Sequence, residues 1–119
     1  MHAIKDLPPI DATLQKEPIA FDFQPYLPPG IYLTGTPTVT CVNAESTEVT
    51  DATPSARLVG APTIDTVDPP DGAGIANTAV LQFVGDCIAG VTYLLHAICN
   101  RSDTGVASLW VHMKCVQPG

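Results

Sequence analysis

The chain has 119 residues, 45% of them hydrophobic, and a formal net charge of −7 from 5 basic and 12 acidic side chains. That length suits one domain able to bury roughly two-thirds of its unfolded surface. An acidic balance without a Lys/Arg cluster argues against nucleic acid and anionic membranes as partners.

Twelve Pro and nine Gly oppose long helices and favour strands linked by many turns. Met1 to Pro18 carries three prolines, mixed charges and no periodicity, and reads as an extended arm. Its apolar positions Ile4, Leu7 and Ile10 are candidates to dock on a neighbouring subunit. Met1 to Pro9 has no apolar run, so no secretory signal is expected. The sandwich proper is then expected over residues 19–119.

Ile19 to Phe23 alternates and predicts the first strand, with Ile19, Phe21 and Phe23 inward. A Pro-rich turn follows, then strands at Ile31 to Thr34 and Thr36 to Val42, with Val39 and Cys41 on one face. Asn43 to Ser55 is polar and turn-rich, with at most a short strand near Glu48 to Thr50. Ala56 to Gly60 and Pro62 to Val67 are short strand candidates, and Asp68 to Gly74 is a loop. Asn77 to Val84 predicts a strand with Ala79, Leu81 and Phe83 on one side.

Residues 90–116 give the strongest signal: two long strands around the polar turn Asn100-Arg101-Ser102-Asp103-Thr104-Gly105. The odd positions Tyr93, Leu95, Ala97, Cys99, Leu109, Val111, Met113 and Cys115 are apolar and should face a core. The even positions mix polar Thr92, His96, Ser108, His112 and Lys114 with apolar Leu94, Ile98, Val106 and Trp110. Such a mixed outer face predicts contact with a second surface, plausibly another subunit. Trp110 is the first choice for its anchor, because Trp is enriched at binding hot spots. A hydropathy window would flag residues 79–99 as a membrane span, but Gln82, Asp86, His96 and the turn at Gly85 to Gly90 read as strand, turn, strand.

No chemistry-bearing constellation stands out. His96 and His112 share a face as diagonal neighbours, and only Asp86 and His2 are conceivable further metal donors, so interface histidines are expected. Asp65, Asp68 and Asp71 lack the alternating ligands of a calcium loop and are expected to be solvated. Cys41, Cys87, Cys99 and Cys115 have no zinc spacing, and without a signal sequence four buried, reduced thiols are expected. No nucleophile elbow or phosphate cradle is present, so no enzyme, metal or cofactor is expected.

Two segments, Lys16 to Leu33 and Ala89 to Tyr93 with the hairpin that follows, resemble a group of small tailed-phage structural proteins. Lys16 to Leu33 (KEPIAFDFQPYLPPGIYL) is similar to their charged residue and proline before an aromatic–Asp–aromatic strand, then Tyr-Leu and a glycine. Ala89-Gly90-Val91-Thr92-Tyr93, running to Thr104-Gly105 and the last strand, resembles their carboxy-terminal ending, which immunoglobulin-like modules also share. The family's charged residues after the turn are replaced here by Val106-Ala107-Ser108. The resemblance covers the two ends and not the middle.

What it implies is an all-β, immunoglobulin-like β-sandwich of about seven strands with an extended amino-terminal arm over residues 1–18. The expected function is that of a non-enzymatic virion subunit, made in the host cytoplasm. It would bind capsid, connector or tail subunits, and copies of itself, through the arm and the face carrying Leu94, His96, Ile98, Trp110 and His112. The alternative is an extracellular carbohydrate-binding or adhesion module on the same fold, using exposed Tyr26, Tyr32 or Trp110.

Overall fold

Alternation along residues 91–116 decides the larger of two sheets. A computed structural model describes residues 5–6, 10–11, 16–45, 47–65 and 77–116. Lys5–Asp6 (β1) and Ile10–Asp11 (β2) precede Glu17–Asp22 (β3), Leu33–Asn43 (β4), Leu58–Ile64 (β5), Ala79–Val84 (β6), Thr92–Arg101 (β7) and Val106–Val116 (β8). The described elements are all strands apart from two short 3-10 turns, Gln24–Tyr26 and Pro54–Arg57.

β8, β7 and β4 run antiparallel in that order, and β3, β6 and β5 form a second antiparallel sheet. The inward side chains of both sheets make one core. Tyr93, Leu95, Leu109, Val111 and Met113 from one sheet meet Ile19, Phe21, Val80 and Val84 from the other, with Phe23 beside them. Every odd position predicted to face the core between Tyr93 and Cys115 is buried. So are Val39, Cys41, Ile19, Phe21 and Phe23. The arrangement is all-β and two-layered, as a sandwich requires.

Two pieces of the arm are described, and both are seated on their own chain. Lys5–Asp6 pairs in parallel with Val111 and His112, and Ile10–Asp11 with Cys115 and Val116, so both described pieces lie on the chain's own β8. Ile10 packs on the core of its own chain. The reason is that β8 otherwise offers a row of unpaired backbone groups along its outer side. Ile4 and Leu7 lie outside the described residues.

Several strand boundaries also shift. The first sandwich strand begins at Glu17, two residues before the expected start. Two expected strands at residues 31–42 are one, β4, interrupted by a register shift between Thr34 and Thr38 that holds Pro37. In place of the pieces expected at residues 56–60 and 62–67, Leu58–Ile64 is one strand, β5, shifted between Val59 and Thr63, and residues 66–67 lie outside the described residues. The expected strand near Val49 is a single bridge to Val91. The expected acidic loop lies mostly outside the described residues.

In β6 the core side is Val80, Gln82 and Val84, while Phe83 is 37% exposed. Ala79, Leu81 and Phe83 do share a side, but it is the outer one. A buried glutamine hid this from the pattern. Gly60, at φ +75, lies in the register shift between Val59 and Thr63 of β5. Gln82 Nε2 donates to the carbonyls of Gly60 (3.1 Å), Val59 (3.4 Å) and Phe83 (2.8 Å). The amide nitrogen of the buried side chain is thus satisfied by backbone carbonyls, while its Oε1 is buried without a partner.

The expectation of four free thiols is corrected too. Cys87 and Cys115 form a disulfide with Cα atoms 6.1 Å apart, while Cys41 and Cys99 are free and buried. Cys115 lies opposite Val91, with which it shares a backbone hydrogen bond, and the 85–91 connection folds Cys87 inward beneath that point. The hairpin register placed Cys115 there, but nothing in the pattern told the inward path of Cys87.

Candidate functional site

The outer face of β4, β7 and β8 is built in cross-strand rows. Register places Thr38, Ile98 and Ser108 in one row, Thr40, His96 and Trp110 in the next, and Val42, Leu94 and His112 in the third. Cross-strand neighbours interact directly at such spacing. Accordingly the His96 and Trp110 rings stack with centroids 3.7 Å apart and planes inclined by 3°. His96 Nε2 also shares a 2.6 Å hydrogen bond with Ser108 Oγ. Burial under this stack holds the His96 imidazole below its ordinary pKa, so it is neutral near pH 7.

Around the stack the face is mixed. Ile98 and Val42 are exposed, at 37% and 47%, and Leu94, Trp110 and His112 are half-buried. The hydroxyls of Thr38, Thr40 and Ser108 lie between them. Leu94, His96, Ile98, Trp110 and His112 thus share one surface, as their parity predicted. Trp110 lies outside the core. Ile10 does not join this surface.

A second polar cluster holds the opposite side of β7. Tyr93 OH donates to Asp51 Oδ2 (2.8 Å) and accepts from Ile88 N–H (3.0 Å). Arg57 Nε lies 3.4 Å from the same carboxylate oxygen. Arg57 also donates to the carbonyl of Asp86. Asn43 brackets Asp51, accepting from its N–H and donating to its carbonyl. Burial pushes the Asp51 carboxyl up, but hydrogen bonds from Thr53 and Tyr93 and the Arg57 charge outweigh it, and the net pKa is low. Desolvation, with the Asp51 charge nearby, pushes Cys41 up to about 12 and Tyr93 up to about 12. Cys99 is raised as well, chiefly by burial. Thiols so suppressed are poor nucleophiles. This cluster ties loop 43–57 and the 85–91 connection to the core.

A third feature sits at the end of the sheet where the 23–32 connection meets the β7–β8 turn. Ser102 N–H donates to the carbonyl of Tyr32 (2.8 Å), and Tyr32 N–H donates to Ser102 Oγ (3.1 Å). Beside this clamp a groove of about 470 Å³ is lined by Tyr32, Thr34, Asn100, Arg101, Ser102 and Thr104. Sequence reading singled out Tyr32 as an exposed aromatic, but its pairing with a residue 70 positions away has no local signal.

Among the described residues no three His, Cys, Asp or Glu side chains converge as a metal site, and no helix is long and apolar enough to cross a membrane. No protein-family model, curated protein or solved structure matches the chain. The described residues thus present two outward-facing surfaces, one broad and mixed, one small and polar.

Proposed function

We propose that this protein is a non-enzymatic structural subunit of a tailed-phage virion, an immunoglobulin-like module that docks on neighbouring subunits through the outer face of β4, β7 and β8. The observation that carries the reading is that face: a continuous surface with a stacked His96–Trp110 centre and apolar flanks at Ile98 and Val42. An aromatic centre ringed by smaller contacts is the usual anatomy of a binding hot spot.

Strand order supports the immunoglobulin-like part. β3–β6–β5 against β4–β7–β8 has the order of strands B–E–D against C–F–G in that fold, with β1 and β2 as a leading strand laid parallel on the last. Tyr93, at the start of β7, accepts from the backbone of Ile88 five residues upstream, in the manner of a tyrosine corner. Leu95 stands where an antibody domain would hold its inter-sheet cysteine. The two terminal segments that resemble phage structural proteins supply the virion setting.

The arm fits the same reading by exchange. The parallel pairing that β1 and β2 make on β8 is made equally well by a neighbour's arm, which would link subunits at little energetic cost. Mass spectrometry of particles purified from cells carrying the gene tests the assignment. The chain should be present in stoichiometric amounts, and Ile98→Asp with Val42→Asp should remove it from particles without altering its melting. Particles lacking the wild-type chain would overturn the reading.

The Cys87–Cys115 disulfide favours a second reading, an extracellular adhesion module, because such bonds persist in oxidising compartments. Two free thiols from a secreted product, against four from a cytoplasmic one, separate the two.

A further inference from the structure

The groove at the β7–β8 turn has its own chemistry, and it lies beyond the docking face. We propose that it is a binding site for a neutral saccharide, with the Tyr32 ring as the stacking surface and the Asn100, Ser102 and Thr104 side chains as hydrogen-bonding groups. The inference holds whether the module belongs to a virion or to a cell surface.

Four observations point to this ligand class. First, the groove is held rigid. Two hydrogen bonds fasten the Tyr32 backbone to Ser102, and the turn is closed by Arg101 N–H to Gly105 O (2.8 Å) and Thr104 N–H to Arg101 O (3.1 Å). Rigid positioning reduces the ordering cost that weak ligands cannot offset. Thr104, a β-branched residue at φ 72, is held in a conformation such residues avoid.

Second, the lining carries no free charge. Arg101 donates from both Nε and its terminal amino group to the Asp103 carboxylate, and that pairing pulls Asp103 down to about 2. Gly105 sits close against this pair: an added Cβ would stand 3.1 Å from Arg101 Nε and 3.1 Å from Asp103 Oδ1, so the two side chains would have to give way. With that cation paired and the chain at −7, the groove disfavours an anion.

Third, the polar groups are those that match a polyol. Asn100 and Thr104 are exposed, and Ser102 Oγ accepts from Tyr32 N–H while keeping its own hydrogen for donation. An amide and hydroxyls offer donors and acceptors side by side, as vicinal sugar hydroxyls do. The single apolar surface is the Tyr32 ring, 45% exposed, which suits the one C–H face of a pyranose.

Fourth, the backbone here does not invite a peptide strand. β4 breaks register between Thr34 and Thr38, with Pro37 inside the break, so a strand cannot be added past the groove.

The test is a titration of the full isotope-labelled chain with neutral hexasaccharides of glucose, galactose and N-acetylglucosamine, read by amide chemical shifts. At least one should give saturable shifts confined to residues 32–34 and 100–105, with a Kd of about 1 mM or below. Tyr32→Ala and Asn100→Ala should each weaken it at least about tenfold, while Trp110→Ala leaves it unchanged. If Tyr32→Ala fails to fold, Asn100→Ala and Thr104→Ala decide the matter. No saturable shift with any of the three sugars overturns the proposal, as does a response confined to other residues or wild-type affinity in the folded variants. Binding only of a sulfated saccharide, weakening with salt, would also overturn it by assigning the site to Arg101. None of these failures touches the docking face, whose variants are Ile98→Asp and Val42→Asp.

Discussion

The two sheets solve the same packing problem differently. From Tyr93 to Cys99 in β7 and from Ala107 to Cys115 in β8 every second side chain is buried, and both strands lack proline and glycine. In β5 and β6 the ladder is broken by a shift between Val59 and Thr63, and a buried glutamine donates to backbone carbonyls beside it. The β7–β8 hairpin is specified by side-chain alternation, whereas the β5–β6 pair depends on polar contacts at its register shift. A regular hairpin can be read from hydrophobicity alone; an irregular one requires knowledge of which backbone groups go unpaired.

The largest expected effect tests the regular sheet. Leu109→Ala should cost about 2–5 kcal/mol by denaturant unfolding, because it empties a fully buried site. Trp110→Ala, one residue on, should cost the isolated subunit under about 1 kcal/mol while weakening assembly. Equal losses from both would show that the outer face is covered within the subunit, and the comparison would fail.

Next comes the link between the sheet and its connection. Cys87→Ser with Cys115→Ser should lower stability by roughly 3–4 kcal/mol, the loop-closure value for a 28-residue separation. Reduction of the wild type should reproduce that loss. A variant as stable as the oxidised protein would mean that hydrogen bonds alone fix the 85–91 connection.

Tyr93→Phe should cost about 1–3 kcal/mol, since it strips a buried carboxylate of a donor. Acid should act in the same direction. Asp51 has a folded pKa below its ordinary 3.8, so its contribution is complete above that pH and is lost as pH falls through the folded value. His96, depressed below 6.5 by burial, likewise favours the folded state above pH 6.5 and less as protons are taken up below it. Melting temperature against pH should therefore decline in two stages. His96→Gln should remove the upper one, and an unchanged upper stage would mean that His96 is not the group responsible.

The smallest effect probes the irregular sheet. Gln82→Leu should change stability by only about 1–2 kcal/mol, because gained apolar burial partly offsets the lost hydrogen bonds. A loss as large as that of Leu109→Ala would show that the polar contact governs the whole sheet.

The sequence made the hairpin legible because Tyr93, Leu95, Leu109 and Met113 are apolar at strict intervals around an obvious turn. The outer-face grouping of His96 and Trp110 followed from the same parity, and so did their direct contact once register was known. What stayed hidden was non-local or polar. Tyr32 meets Ser102, Tyr93 meets Asp51, and Cys87 meets Cys115 through loop paths that no periodicity encodes. The seat of Lys5–Asp6 and Ile10–Asp11 on β8 was not legible, because two-residue pairings leave no pattern.

The strand prolines have a further consequence. β3, β4 and β5 lie at the margins of the described sheets, and each contains one: Pro18, Pro37 and Pro62. β6, β7 and β8 are flanked on both sides and contain none. A margin without a continuous run of N–H donors cannot template an incoming strand from another molecule. Crowding many copies of this chain side by side should therefore not drive it toward fibrils, and mutating these three prolines to valine should shorten the lag before thioflavin-positive aggregates form.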